Sequence, residues 1–243
     1  MEELDNTDAG RITRRGSLVK LGGFLAAALA TGGAKIDLSE GATNAQEGAG
    51  PAGVASGEIT CVLTPELTEA PTTSRNEKLR RNITEGKPGT ALTLKLKVVN
   101  ASTCKPIKGA AVDIWHCDAG GVYSGIQQQN TVGKTFLRGI QRTNAYGIAT
   151  FQTVYPGWYM GRAVHIHVMV HLGGSVVHTG QLFFPDTRTD AVYKKAPYNT
   201  RSARDKRNAA DSIFVNGGKK SVLRVQKSGA GYVGALTMGV HRS

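Results

Sequence analysis

Ala91-Leu92-Thr93-Leu94-Lys95-Leu96-Lys97-Val98-Val99 alternates apolar and polar side chains. A period of two marks a β-strand with one buried face. Leu92, Leu94, Leu96 and Val98 turn to a core, while Thr93, Lys95 and Lys97 face away. Shorter strands follow at 108–116, 148–154, 164–170, 180–184, 221–225 and 234–240, separated by Gly, Pro and Asn. Residues 124–140 read as a polar loop. Residues 190–211, rich in charge, Tyr, Pro and Asn, read as a long surface segment. The pattern predicts an all-β fold: an antiparallel β-sandwich with a prealbumin-like core, long loops and few short helices.

Composition agrees with that class. The chain has 243 residues, 40% hydrophobic and 20% charged, enough for one domain with a real core. Its 31 glycines and 6% aromatics suit a turn-rich β protein. No run of 18 apolar residues occurs, so a spanning helix and stable membrane insertion are excluded. Three cysteines are too few to build a disulfide scaffold. The net charge of +12 raises nucleic acid as a partner. No basic stripe interleaved with aromatics and no known module supports it, so no nucleic acid is expected. A basic face that attracts anionic aromatic acids fits better.

The first segment reads as an address. Arg14-Arg15 precedes the short Ala/Gly-rich run from Leu21 to Ala30, the layout of a twin-arginine export signal. Residues 1–45 are assigned to this signal and the start of a linker, 46–58 to a flexible linker, and 59–243 to the β-sandwich. Residues 1–45 hold five basic and six acidic side chains, so the positive balance resides in the exported domain.

Chemistry concentrates around His165-Ile166-His167. Residues i and i+2 of a strand share a face, so both imidazoles can reach one metal. Taken alone, such a pair is equally at home as a satisfied core or surface pair. Upstream lie Tyr123, in a Gly-flanked loop, and Tyr159, six residues before His165 in Pro156-Gly157-Trp158-Tyr159-Met160-Gly161-Arg162. At this point the chain resembles the intradiol ring-cleavage dioxygenases, non-haem Fe(III) enzymes that open catechols between their two hydroxyls. The matching elements are Gly109–Asp118, Val122-Tyr123-Ser124-Gly125, Pro156–Tyr159, Gly161–His167, Gln181, Phe183-Phe184-Pro185, Asp190-Ala191-Val192-Tyr193, Pro197-Tyr198, Arg201 and Asp211-Ser212-Ile213-Phe214.

The resemblance implies one Fe(III) per chain held by Tyr123, Tyr159, His165 and His167. Two phenolates and two imidazoles form a hard, partly anionic donor set, suited to trivalent iron. Tyr123 and His165 match the pair that stays on the metal, and Tyr159 and His167 the axial pair. Tyr159 is then displaced by the diol and accepts a proton. Arg162 matches the arginine set against the substrate ring, and Gln181 a supporting glutamine. The implied partners are a small aromatic diol and O2, and the implied product is a cis,cis-muconate-type diacid. The implied setting is extracellular breakdown of aromatic compounds. The family's pocket stretch is altered at Ala70 and Thr72, and only five residues separate Tyr159 from His165. The short spacing points to a more open site, and the altered stretch to a broader or different catechol.

Two rivals share the sandwich rhythm: a non-catalytic prealbumin-like binding module, and a copper–zinc superoxide dismutase. The first has no use for Tyr123 or the histidine pair. The second needs further histidine ligands. The other histidines, His116, His171, His178 and His241, read as structural or solvated, and Tyr146 and Tyr155 as packing residues. Cys117, beside a strand end, reads as a small buried hydrophobe. Cys61 and Cys104 lie in exposed-looking segments of an exported chain and are expected to pair, stabilising the fold by about 3–4 kcal/mol in the loop-entropy picture. Non-reducing mass spectrometry should find one free thiol; three would refute the Cys61–Cys104 bridge.

Overall fold

The computed structural model describes residues 78–241. The expected export signal, the linker, Cys61 and the altered pocket stretch lie outside them. Two sheets of four strands stack around the core. One contains β1 (Ala91–Asn100), β4 (Ile148–Val154), β7 (Arg224–Ser228) and β8 (Gly231–Val240), in the order β4-β1-β8-β7. The other contains β2 (Ala111–Trp115), β3 (Arg138–Arg142), β5 (His165–Leu172) and β6 (Ser175–Phe183), in the order β3-β2-β5-β6.

Leu92, Leu94, Leu96 and Val98 are all buried, as their alternation requires. They share one core with Phe151 of β4, Val112 and Ile114 of β2, and Ile166, Val168 and Val170 of β5. Burying each such side chain stabilises the fold by about 1.5–3 kcal/mol.

The sandwich is not purely antiparallel. β1 runs parallel to β8, from Leu92 opposite Tyr232 to Asn100 opposite Val240. The direction of β8 is set by its tight hairpin with β7, where Ser228 pairs with Gly231. Side-chain alternation within β1 carries no information about that neighbour.

Three other expectations need correction. Residues 124–140 are not all loop, because β3 begins at Arg138 and pairs with Trp115. Its Arg-Gly-Ile-Gln-Arg sequence lacks apolar alternation, and the buried Arg138 guanidinium is instead satisfied by donating to Ser124 O and Oγ. The 190–211 stretch is not merely surface. Helix α1 (Asp186–Tyr193) runs into it, and Val192, Tyr198 and Asn208 are buried. The strand expected from 221 starts at Arg224, after a 3₁₀ turn over Gly218–Ser221. Helix α2 (Ser212–Val215) precedes that turn.

Tyr155 packs inside, donating or accepting a 2.9 Å hydrogen bond with Thr189 Oγ1, but Tyr146 is exposed rather than packed. Cys117 is free and buried, as expected.

β5 departs from the usual one-sided burial. Ile166, Val168 and Val170 face the core, yet His165, His167 and Met169 on the opposite face are buried too. A second layer covers them. It contains Tyr123 and Ile126 from the β2–β3 connection and Tyr159 from the β4–β5 connection. Register sets Trp115 opposite His167, and His167 opposite Gln181, in one row across β2, β5 and β6.

His116 is fully buried. Its Nδ1 lies 2.8 Å from the Cys117 carbonyl, to which it donates, and its Nε2 accepts from Thr153 Oγ1 at 2.7 Å. Burial holds the imidazole down at about 4. Below the unfolded value near 6.5, the unfolded chain takes up a proton that the fold refuses. Stability contributed by neutral His116 is therefore present above pH 6.5 and lost as pH falls to about 4, by up to about 3 kcal/mol. Urea denaturation between pH 7 and 4 should show this fall, and His116→Gln should make it shallower, the remainder coming from the other histidines that burial depresses.

Candidate metal centre

The four residues expected to bind metal come from three places in the chain and meet on the outer face of β5. His165 and His167 alternate with Ile166, so their rings leave the same side of the strand. Their Nε2 atoms are 3.1 Å apart. Tyr159 Oη lies 3.1 Å from His165 Nε2. The Tyr123 ring stands edge-on to Tyr159, with centroids 5.5 Å apart. Its hydroxyl is buried without a hydrogen-bond partner.

This spacing suits a metal. Bonds of about 2.1 Å meeting at right angles put neighbouring donors about 3 Å apart. The tautomer is also right. His165 Nδ1 donates to the Ala163 carbonyl at 2.7 Å, leaving the Nε2 lone pair for the cluster. The His167 ring is held by stacking on Trp115, 5.1 Å between centroids and 7° from parallel. Among the described residues, no group of three or more His, Cys, Asp or Glu could hold a metal. A metal held by His165 and His167 would therefore draw its further donors from the phenols, whereas a copper–zinc dismutase site needs further histidines.

Arg162 and Gln181 join the cluster from the side. Arg162 Nη1 faces Tyr159 Oη at 3.5 Å, and Nη2 donates to Gln181 Oε1 at 2.5 Å. Arg162 also makes an ion pair, through Nε to Asp211 Oδ2 at 2.9 Å.

Known proteins share this fold. The family profile described as Dioxygenase matches residues 62–206. An intradiol ring-cleavage dioxygenase from Tetranychus urticae is 38% identical over 74% of this chain and 95% of its own, with a TM-score of 0.71. The dioxygenase domain of a dioxygenase–carbohydrate-binding protein fusion from Streptomyces sp. SirexAA-E is 29% identical over 74% of this chain and 99% of its own, with a TM-score of 0.59. The chain belongs to the intradiol ring-cleavage dioxygenase family. Catechol 1,2-dioxygenase from Pseudomonas arvilla C-1, 20% identical over 74% of this chain and 62% of its own, shares the fold at a TM-score of 0.56. No curated protein matches the chain. Family membership makes this an enzyme of catechol-type ring cleavage and sets aside the non-catalytic binding module.

Electrostatics in the dioxygenase keep these donors uncharged. Burial pushes His165 down to about 3, helped by the Arg162 charge, and takes His167 well below its ordinary value. Both rings stay neutral, the form that donates a lone pair to metal. Burial raises both phenols as well, Tyr123 more than Tyr159, against which Arg162 acts. A cation bound between them would reverse that direction. Cys117 is no competitor: burial pushes its thiol up to about 12.

Two glycines bring the tyrosine loops together. A side chain on Gly157 would meet the Asp118 and Ala119 carbonyl oxygens at 2.5 Å. One on Gly121, whose φ is +83°, would collide with the Trp158 carbonyl. Arg201 closes the same junction, donating to that carbonyl at 2.7 Å and lying 4.4 Å over the Trp158 ring. Trp115 and Arg201 carry no sign of these roles in the sequence, since both depend on strand register or loop contact. Gly157→Ala should force the loops apart, lowering stability by about 1–3 kcal/mol in chemical denaturation and reducing metal content as measured by elemental analysis.

Proposed function

We propose that this chain is a non-haem Fe(III) dioxygenase that opens a catechol-type ring between its two hydroxyls with O2, giving a cis,cis-muconate-type diacid. The observation that carries this reading is the convergence of Tyr159 Oη, His165 Nε2 and His167 Nε2 at 3.1 Å spacings, with the unpartnered Tyr123 hydroxyl buried beside them. Tyr123, Tyr159, His165 and His167 would hold the iron. When bound, ferric iron supplies a Lewis-acidic centre that draws electron density from the diol ring.

The side chains divide the remaining work. Tyr123 is the more deeply enclosed phenol and is suited to remain a ligand. Tyr159 is only partly buried and lies against Arg162, so it is the phenol suited to yield its place and accept a diol proton. Arg162 offers a fixed positive charge to negative charge developing on the ring. Gln181 holds the Arg162 Nη2 edge. Trp115, Ile126 and Met169 supply apolar walls that limit water around the donors.

The same reading includes export through the twin-arginine signal in residues 1–45, an extracellular place of action, and a Cys61–Cys104 bridge. Cys117 being free and buried supports that pairing, since it leaves those two thiols for each other. The changes at Ala70 and Thr72 favour a broader range of catechols.

Purified protein should hold one iron per chain and show the burgundy colour of tyrosinate-to-Fe(III) charge transfer. Catechol, protocatechuate, hydroxyquinol and substituted catechols, tested for oxygen uptake and muconate-type absorbance, should yield at least one substrate. His165→Ala should lose iron and colour. Tyr159→Phe should keep iron, with turnover down about 10²–10⁴-fold. An active, iron-replete His165→Ala protein would remove the basis of this reading.

A further inference from the structure

Arg162 is held on each edge of its guanidinium. Nη2 donates to Gln181, Nη1 faces Tyr159, and Nε donates to Asp211 Oδ2. Asp211 is 1% exposed, and its two oxygens have separate partners. Oδ2 also accepts from the Ala163 backbone N–H at 2.8 Å. Oδ1 accepts from the backbone N–H groups of Ile213 and Phe214, at 2.8 and 3.1 Å, and so caps α2.

One buried carboxylate therefore joins α2 to the short segment between Tyr159 and His165. α2 is itself anchored beside the cluster. Phe214 packs edge-on against Phe183 at 5.1 Å, and Phe183 lies 5.9 Å from the His165 ring. Gly218 leaves room for Phe183, since a side chain there would meet the Phe183 ring at 2.5 Å. Asp211 cannot shift to follow Arg162 without leaving buried N–H donors unpaired.

Building on the iron-site reading, we propose that Asp211 is a positioning residue that fixes the plane and reach of Arg162 toward Tyr159 and the bound diol. Asp211 would touch neither substrate nor metal. It acts by denying Arg162 alternative rotamers, and a displacement of about 1 Å at a reacting centre can cost about 100-fold in rate.

The test compares Asp211→Asn, Asp211→Ser, Arg162→Gln and the Asp211→Ser/Arg162→Gln double variant, using whichever catechol the wild-type enzyme turns over. Serine keeps a hydroxyl able to cap α2 but removes Oδ2. Each Asp211 variant should retain iron and colour. Each should lose about 10–100-fold in kcat with KM little changed, because the interaction matters most in the transition state. Adding Asp211→Ser to Arg162→Gln should lower kcat no further. The proposal is overturned if the Asp211 factor is the same with and without Arg162, or if a folded Asp211→Ser enzyme keeps wild-type kcat. Should both Asp211 variants fail to fold, Arg162→Lys decides: it keeps the charge without the planar fork, and wild-type kcat would overturn the proposal while a loss near that of Arg162→Gln would support it. Wild-type protein lacking iron or ring cleavage would instead defeat the metal reading itself.

Discussion

Burial of the outer face of β5 is the constraint on which the site depends. Outward side chains of a sandwich strand ordinarily meet water, where an imidazole is partly protonated near neutral pH. Here a second layer covers His165 and His167, and loss of water holds both rings neutral. Neutral rings can lie with their Nε2 atoms 3.1 Å apart, whereas two imidazolium ions at that distance would repel. The cover that removes water also delivers the tyrosines. Shielding of the imidazoles and placement of the phenols are therefore one structural event.

Rigid and irregular parts of the fold contribute different things. The sheet supplies direction: Trp115, His167 and Gln181 stand in one row because β2, β5 and β6 are in register. The loops supply the phenols, and they meet only because Gly121 and Gly157 let backbone approach backbone. Arg201 then bridges the same junction through the Trp158 carbonyl and ring. A larger residue at either glycine would leave the strands intact and still separate Tyr123 from Tyr159.

Charge is arranged with similar economy. Arg162 is a cation facing the donor cluster, and the buried Asp211 carboxylate balances it from behind. Burial raises the Asp211 carboxyl, but hydrogen bonds from Ala163, Phe214 and Arg162, with the Arg162 charge, outweigh it and keep the group ionised. The pair also ties α2, a short turn of helix, to the residues leading into His165.

Much was legible from local pattern. The β1 alternation names its buried side chains because backbone geometry points successive residues to opposite faces, whatever surrounds the strand. The same rule puts His165 and His167 on one face. The order of the two tyrosines and the histidine pair pointed to the family. Long-range relations were not legible. The parallel pairing of β1 with β8, the β3 strand built on a buried Arg138, and the burial of Tyr198 and Asn208 in a polar stretch all arise from partners distant in sequence. Asp211 was visible as a matching residue, but its link to Arg162 was not. Sequence alone determined which side chains could share a face and which chemistry they could support. Tertiary structure decided which of them meet, because hydrogen bonds, close glycine contacts and exclusion of water exist only between segments that folding brings together.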